Sequence, residues 1–276
     1  MSKTNSFQLL RLVGACLMLA FGAAGGAAAA PAFRSSPRAS VLVCGGSMMN
    51  GNHFADSVLP AMREQFAGCR RVALVLHASH PTERDAMELR LRTAFVHLLG
   101  AGVTVESLHR RDAAGAKELL GAADGIFVGG GETFVLLGEL QRTGQLELIR
   151  ARVLAGVPYG GSSAGANVAG LLIGTTNDFP TADVVSREAL GVFPAVINPH
   201  FPLPAAKADY DARQGKLGTY LKFNPGEAVV ALANAAVMRA RAGRVMLLVG
   251  RAWLYRAAGV RELVVGEAVP ELATKP

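Results

Sequence analysis

The residue with the clearest chemical potential is a serine in a tight, glycine-rich turn. Gly161–Gly165 reads Gly-Ser-Ser-Ala-Gly and lies between a short apolar segment and an apolar stretch over Ala166–Leu172. In a Gly-x-Ser-x-Gly turn between a strand and a helix, the serine hydroxyl is exposed and small neighbours let a substrate approach. Ser163 is therefore a candidate nucleophile; the alternative is an ordinary strand-to-helix turn.

A second glycine segment suggests where negative charge could be stabilised. Gly129–Gly131 follows another apolar segment and opens an apparent helix. Backbone N–H groups of such a loop can donate to a developing oxyanion. The alternative is a phosphate-binding loop, but no lysine follows in the Walker arrangement and the spacing is not Gly-x-Gly-x-x-Gly. The segment thus gives only weak support to nucleotide binding.

A serine nucleophile needs a base, and His200 is the best placed of the six histidines. It follows the short apolar run Val196–Asn198 within Ile197-Asn198-Pro199-His200-Phe201. A histidine at the carboxyl end of a strand lies where an α/β fold collects its functional groups. The alternative is a histidine whose hydrogen bonds are satisfied within its own loop.

Composition excludes several function classes. The chain has 276 residues, of which 51% are hydrophobic and 18% charged, so it is not a disordered chain. Its net charge of +7 comes from scattered residues without interleaved aromatics, which disfavours a nucleic-acid partner. No Cys-x-x-Cys or His-x-x-x-His spacing suggests a metal, and no cofactor is expected. Cys44 and Cys69 permit a disulfide without implying one.

The first 32 residues predict a secretory signal peptide. Met1–Arg11 is basic, Leu12–Ala24 is apolar and Gly25–Ala32 is small, ending in Ala30-Pro31-Ala32 as a cleavage site. Cleavage would make Phe33 the new N-terminus and predicts a periplasmic or secreted protein without stable membrane insertion. A retained membrane anchor is the alternative.

The mature chain, residues 33–276, alternates short apolar strands with amphipathic helices. This order predicts one α/β domain built on a mostly parallel sheet. After Ala189 several strands follow closely, which suggests an antiparallel finish on one edge. The predicted strands are Ser40–Cys44, Arg71–Leu76, Val103–Leu108, Gly125–Val128, Pro158–Gly161, Val196–Asn198, Val229–Ala233, Arg244–Val249, Trp253–Arg256 and Glu262–Gly266. The predicted helices are Ala55–Phe66, Glu83–Leu99, Ala113–Leu120, Thr133–Leu154, Ala166–Leu172 and Ala205–Leu221.

Four motifs in order resemble a known family. They are Gly129-Gly130-Gly131-Glu132-Thr133-Phe134, Gly161-Ser162-Ser163-Ala164-Gly165-Ala166-Asn167, Thr175-Thr176-Asn177-Asp178 and Ile197-Asn198-Pro199-His200-Phe201. The set resembles the dipeptidase E (α-aspartyl dipeptidase) and cyanophycinase family of serine peptidases, over roughly Val41 to Val249. The last two motifs are more similar to the dipeptidase branch.

The resemblance implies a three-layer α/β sandwich of the class I glutamine amidotransferase type, with serine in place of the cysteine. It implies cleavage after an N-terminal aspartate, or release of β-aspartyl-arginine from cyanophycin. By matching position, Ser163 is the nucleophile and His200 the general base. The N–H groups of Gly130 or Gly131, together with that of Ala164, form the oxyanion hole. Such a site hydrolyses a peptide through an acyl-enzyme.

Three departures from the family affect the candidate site. Glu132 replaces an asparagine, and its carboxylate could bind a substrate ammonium group or repel an aspartyl side chain. Asn234 stands where the family has an acid that orients the histidine; Asp178 or Glu227 could substitute for it.

The third departure concerns the family's arginine-bearing segment, which is only partly kept. Arg213 aligns loosely with the arginine that reads the aspartate side chain, and the alternative is a surface arginine paired with Asp209. Thr133 and Asp178 complete the candidate substrate-binding residues.

Three hypotheses about function remain. The first is an exported serine exopeptidase that acts on small peptides, including those with an N-terminal aspartate. The second is a catalytically impaired relative that binds a peptide or small molecule, which Asn234 favours and the Ser163–His200 pair opposes. The third is an extracellular cyanophycinase. The sequence does not set the oligomeric state.

Overall fold

The structure, a computed structural model, describes residues 32–273 of the chain. The predicted signal peptide, 1–32, lies outside the described residues except for Ala32. The strands are β1 Ser40–Cys44, β2 Met49–Asn50, β3 His53–Phe54, β4 Arg71–Val75, β5 Thr104–Ser107, β6 Gly125–Val128, β7 Tyr159–Ser162, β8 Val196–Asn198, β9 Val229–Leu232, β10 Val237–Arg241, β11 Arg244–Val249, β12 Ala252–Arg256 and β13 Gly259–Glu262. The helices are α1 Leu59–Gln65, α2 Arg84–Leu99, α3 Ala113–Ala122, α4 Thr133–Arg142, α5 Gln145–Leu154, α6 Ala164–Ala169 and α7 Lys207–Phe223.

A seven-stranded sheet forms the middle layer, in the order β11-β10-β1-β7-β6-β4-β5. Strands β1, β7, β6, β4 and β5 are parallel, and β10 and β11 are antiparallel at one edge. Successive side chains of β1 alternate between the two faces: Leu42 packs with α1 and α2, while Val41 and Val43 pack with α3 to α6. The predicted layered α/β arrangement with a mostly parallel sheet is confirmed.

A second sheet, β13-β12-β9-β8, lies beside the first and carries β8 parallel to β9. Helix α7 packs on it through Leu217 and Leu221. The late antiparallel strands that the sequence predicted at one edge are therefore divided between two sheets. The predicted strand Glu262–Gly266 is wrong, because the strand runs over Gly259–Glu262 and Gly266 turns the chain with φ +84°.

Two helix predictions need correction. The single helix Thr133–Leu154 is two helices, because Gly144 adopts φ +70° between them and a left-handed residue ends a helix. The helix expected over Ala166–Leu172 is Ala164–Ala169. It ends at Gly170, whose extended backbone lies so close to the Ala195 carbonyl that a Cβ there would stand 2.7 Å from the oxygen.

The parallel strands direct several loops to one edge of the main sheet. The carboxyl ends of β1, β6 and β7 carry Gly45–Ser47, Gly129–Gly131 and Ser163 respectively. Because carboxyl ends of parallel strands share one edge, these three segments become neighbours. The fold thus gathers the candidate chemical groups from three segments that are separate in the chain.

Two further observations concern the cysteines and the helices. Cys44 and Cys69 are both free thiols in the structure. Within residues 32–273, no helix has the length and apolar character needed to cross a membrane.

Candidate active site

Three successive carbonyl groups at the end of β1 hold three distant segments in place. The bonds run from Ser163 N–H to the Cys44 carbonyl (3.0 Å), from His200 N–H to the Gly45 carbonyl (2.8 Å) and from Ala235 N–H to the Gly46 carbonyl (2.7 Å). Each donor belongs to, or directly follows, a residue that the sequence singled out. The end of β1 therefore sets the relative positions of Ser163, His200 and Asn234.

Ser163 occupies the tight turn expected from its glycine-rich neighbours. Strand β7 ends at Ser162 and α6 begins at Ala164, so one residue makes the whole reversal. Its backbone has φ 54° and ψ −112°, a conformation that L-residues rarely adopt and that costs on the order of 1–3 kcal/mol. The turn presents the half-buried Ser163 hydroxyl to His200, with Oγ 2.8 Å from Nε2.

The other ring nitrogen of His200 meets Asn234. Nδ1 lies 2.6 Å from Asn234 Oδ1, so the ring carries its proton on Nδ1 and leaves Nε2 free to accept. His200 and Asn234 are exposed to solvent. Neither acid suggested as a substitute reaches the ring: Asp178 bonds Thr133, and Glu227 accepts the Tyr220 hydroxyl at 2.6 Å.

Gly46 supports the imidazole, a role that the sequence reasoning missed. A Cβ at this position would stand 2.1 Å from His200 Cε1, and the backbone has φ +113°. Only glycine fits both constraints. The available signal was the Gly45-Gly46 pair directly after the first predicted strand, but its partner lies about 150 residues later in the chain.

The Gly129–Gly131 loop brings backbone N–H groups to the nucleophile. A Cβ on Gly130 would lie 3.0 Å from Ser163 Cβ and 3.6 Å from Oγ. Within the described chain, neither the Gly130 N–H nor the Ala164 N–H donates to another group. Gly131, with φ +134°, lies against the Ala78 backbone, and its N–H likewise donates to no group within residues 32–273. Gly130 lies beside Ser163 in space and Ala164 follows it in the chain, so their N–H groups are the candidate oxyanion donors, with that of Gly131 as the alternative.

Asp178 ties the loop after α6 to the start of α4. Its Oδ2 accepts from the Thr133 N–H at 2.9 Å, from the Thr133 hydroxyl at 2.5 Å and from the Thr176 hydroxyl at 3.1 Å. A carboxylate at a helix N-terminus also interacts favourably with the helix dipole. The neighbouring Glu132 accepts the Thr181 hydroxyl at 2.7 Å, so the same loop has a second attachment.

Arg213 lies on α7 and points toward the histidine loop. Its guanidinium donates to Asn198 Oδ1 at 3.3 Å, and the half-buried position lowers the pKa of Arg213 through desolvation. The alternative ion pair with Asp209 does not form in the described structure. Asn198 is buried and comes two residues before His200. Among residues 32–273 Arg213 thus forms no ion pair, although the charge of Asp209 partly offsets the lowering of its pKa.

One group of side chains has the types and spacing of a metal site. Asp85, Glu88 and His109 place ligand atoms within 4.8 Å of one another. However, Glu88 already pairs with Arg92 and with Arg110. Two guanidinium groups on one carboxylate supply the positive charge that a metal would bring, so this group is better described as an ion-pair network.

Residues 41–248 match peptidase family S51. The chain belongs to that family. Peptidase E from Streptomyces coelicolor is 34% identical over 236 residues, covering 84% of this chain and 94% of the relative. Peptidase E from Pasteurella multocida is 35% identical over 202 residues, covering 72% and 84%. The recognition of this family and of a serine peptidase from sequence is confirmed.

A solved structure supports the fold independently. The crystal structure of a peptidase from an acI-B1 Actinobacterium aligns with a TM-score of 0.63, covering 85% of this chain and 98% of that one. At 18% identity the likeness concerns the fold alone. The chain therefore has the predicted three-layer α/β sandwich with a mostly parallel sheet.

Proposed function

We propose that this S51 peptidase is an exopeptidase that hydrolyses small peptides through a Ser163–His200 acyl-enzyme. The observation that carries the proposal is the continuous hydrogen-bond chain from Ser163 Oγ to His200 Nε2 and from Nδ1 to Asn234 Oδ1. A nucleophile, a base and a group that orients the base are the three parts such chemistry requires.

The proposed reaction has two stages. His200 Nε2 takes the Ser163 proton as Oγ attacks the scissile carbonyl carbon, and the resulting oxyanion accepts from the Gly130 and Ala164 N–H groups. His200 then gives the proton to the leaving amine, and the C–N bond breaks to leave an acyl-serine. In the second stage water adds through the same base, and the acid is released with Ser163 regenerated.

We propose that Arg213 binds the side chain of an N-terminal aspartate. Its guanidinium has no carboxylate partner in the described structure and bonds only the Asn198 amide oxygen. Partial burial strengthens a bidentate pair with a substrate carboxylate. Glu132 is the counterpart for the substrate ammonium group, at a half-buried position beside the Gly129–Gly131 loop. Since Asp178 Oδ2 already accepts three hydrogen bonds, we assign Asp178 and Thr133 to positioning rather than to substrate contact.

Export is a separate part of the proposal. The basic, apolar and small segments of residues 1–32 support cleavage after Ala32. Expression of the full chain in a bacterial host, followed by mass spectrometry of the periplasmic fraction, tests it. A mature protein that begins at Phe33 supports export, and an intact chain in the cytoplasm contradicts it.

A dipeptide panel tests the activity. The purified protein is given Asp-Leu, Glu-Leu, β-Asp-Arg and Ala-Leu, beside Ser163→Ala and Arg213→Gln. We expect cleavage of Asp-Leu that Ser163→Ala abolishes, and an Arg213→Gln variant that loses the preference for Asp-Leu over Ala-Leu. Equal cleavage of all four peptides would remove Arg213 from the proposal.

A second candidate is a binding protein that no longer cuts its ligand. Asn234 favours it, because an amide cannot stabilise an imidazolium by charge as a carboxylate does. Loss of a triad carboxylate can cost on the order of 10⁴ in rate. Peptide binding by calorimetry, together with no turnover above that of Ser163→Ala, would make this second candidate the correct one.

A further inference from the structure

A pocket next to the Gly129–Gly131 loop has no role in the function proposed above. Its volume is about 220 Å³. Backbone of Gly129 and Gly130 and the residue before the nucleophile, Ser162, form the wall nearest Ser163. A cavity of about 150 Å³ with apolar walls already holds benzene, so this pocket has room for an aliphatic or phenyl side chain.

The floor of the pocket is apolar and adaptable. It consists of Met48, Met49, Met87, Leu91 and Phe127. Met48, Phe127 and Leu91 of α2 are buried, and the other two methionines are half-buried at the opening. Methionine side chains adjust to ligands of different shape, so such a floor accepts several apolar side chains.

One charged side chain, that of Arg90, also lines this largely apolar pocket. Arg90 lies on α2 and is half-buried, and its Nε donates to the Gly51 carbonyl at 2.6 Å. Within residues 32–273 its terminal guanidinium nitrogens make no hydrogen bond, and Arg90 belongs to none of the ion pairs. A guanidinium with free terminal N–H groups is suited to a planar carboxylate. The apolar pocket suits an apolar side chain, and the guanidinium suits the free α-carboxylate of the same amino acid residue.

We propose that this pocket holds the residue on the leaving side of the scissile bond, with its apolar side chain on the methionine floor and its C-terminal carboxylate on Arg90. The inference rests on the proposed function, in which Arg213 binds the side chain of the substrate's N-terminal aspartate. The pocket is then free to bind the second residue of the substrate. Arg90 then explains an exopeptidase: a longer peptide or an amide has no carboxylate at that place.

Substrate pairs test the carboxylate contact. For the wild-type protein we expect Asp-Leu to have a kcat/KM about tenfold or more above that of Asp-Leu amide, since a hydrogen-bonded charge pair is lost. Arg90→Gln abolishes this difference by slowing Asp-Leu alone. The matched control is Arg63→Gln, an exposed arginine on the neighbouring helix α1, which keeps the difference. Equal rates for the peptide and its amide in the wild type would overturn the role of Arg90.

A second pair tests the floor. Asp-Leu should exceed Asp-Gly by about 10-fold to 100-fold in kcat/KM, from burial of the leucine side chain. Met87→Glu places a charge in the opening and removes this advantage, whereas Met246→Glu, at a half-buried methionine on the edge strand β11, retains it. If Met87→Glu slows both peptides equally, the floor does not contact the second residue and the inference fails.

Binding separates this inference from the proposed activity. Calorimetry with Ser163→Ala measures the Kd of Asp-Leu, its amide and Asp-Gly without any turnover. We expect the same order of affinity as in the kinetics, and loss of the amide effect in Ser163→Ala/Arg90→Gln. If the wild-type protein cuts no peptide, the proposed function fails while these affinities still decide the inference. Equal affinities for all three peptides would contradict it.

Discussion

At the scale of single residues, the backbone of Ser163 stores strain that the site requires. With φ 54° it occupies a conformation that glycine adopts at little cost. Ser163→Gly and Ser163→Ala both lose the hydroxyl, but only the glycine relieves the strain. We therefore expect Ser163→Gly to have a free energy of unfolding about 1 kcal/mol above that of Ser163→Ala, by urea denaturation. Equal stabilities would show that the turn is unstrained.

Asn234 decides how well His200 is held and how its charge is balanced. Its amide oxygen orients the ring without supplying charge. Asn234→Ala should lower kcat/KM at least about tenfold, because the ring loses its fixed orientation. Asn234→Glu should raise kcat, since a carboxylate stabilises the imidazolium that forms in the transition state.

The pH–rate profile separates orientation from charge. A carboxylate beside the ring favours its protonated form, and the base must be neutral to accept the serine proton. In Asn234→Glu the acidic limb of kcat/KM should therefore lie at higher pH than in the wild type. An unchanged limb with lower kcat would mean that the longer side chain does not reach Nδ1.

The residue types of the site were accessible from sequence because few side chains can do this chemistry. Ser163 and His200 each stand at the end of a predicted strand, and Asn234 follows from a departure at an aligned position. Gly46 and the anchoring of Asp178 were not accessible. Their roles depend on contacts with His200 and Thr133, which local sequence does not encode.

At the scale of elements, helix α4 receives its N-terminal cap from a distant loop. Glu132 does not cap it, and Asp178 accepts the first N–H instead. Asp178→Ala should cost about 1 kcal/mol of stability and also lower kcat/KM, because the Gly129–Gly131 loop leads directly into this helix. Asp112→Ala is the control: Asp112 caps α3 through the Gly115 N–H at 2.8 Å, far along the chain from Ser163. We expect Asp112→Ala to lose a similar amount of stability but to keep full activity. If Asp178→Ala also keeps full activity, Asp178 only caps the helix and does not position the loop.

Strand boundaries were predictable from the sequence where a strand is a continuous run of apolar residues. The boundaries of β1, β6, β8 and β11 agree with those expected from apolar runs. Strand β10 was missed, since Val237–Arg241 contains two arginines and pairs with β1 only after the chain has crossed to the second sheet. Local pattern therefore identifies a buried parallel strand but does not assign late antiparallel strands to a sheet.

At the scale of the whole molecule, a buried histidine makes stability depend on pH. His77 is buried with Nε2 2.8 Å from Gln145 Oε1 at the start of α5, and Nδ1 has no partner in the part of the chain that the structure describes. Burial lowers the pKa of His77 below its usual value of 6.5. Below pH 6.5 the unfolded chain therefore binds a proton that the folded chain resists, so the stabilisation present above that pH is lost as the pH falls through the lowered pKa.

Replacing His77 should flatten this dependence. Between pH 7 and pH 5 we expect the free energy of unfolding of His77→Gln to fall less than that of the wild type, by about 1.4 kcal/mol for each unit of pKa difference. His53→Gln, at an exposed histidine, should follow the wild-type curve. Parallel curves for His77→Gln and the wild type would show that the native protein protonates His77 as readily as the unfolded chain does.

The candidate active site lies at the junction of the two sheets. Strand β1 belongs to the main sheet, yet the carbonyls that follow it hold segments of the second sheet, including His200. Gly46→Ala would place a Cβ 2.1 Å from His200 Cε1 and displace the imidazole. Because a displacement of about 1 Å can cost on the order of 100-fold, we expect kcat to fall about that much while Asp-Leu still binds to the variant. Gly100→Ala is the matched control: it also has a positive φ, +98°, but nothing in residues 32–273 lies within 4 Å of its Cβ. If both variants lose activity equally, backbone strain rather than contact with the imidazole is the cause, and the end of β1 does not set the position of the base.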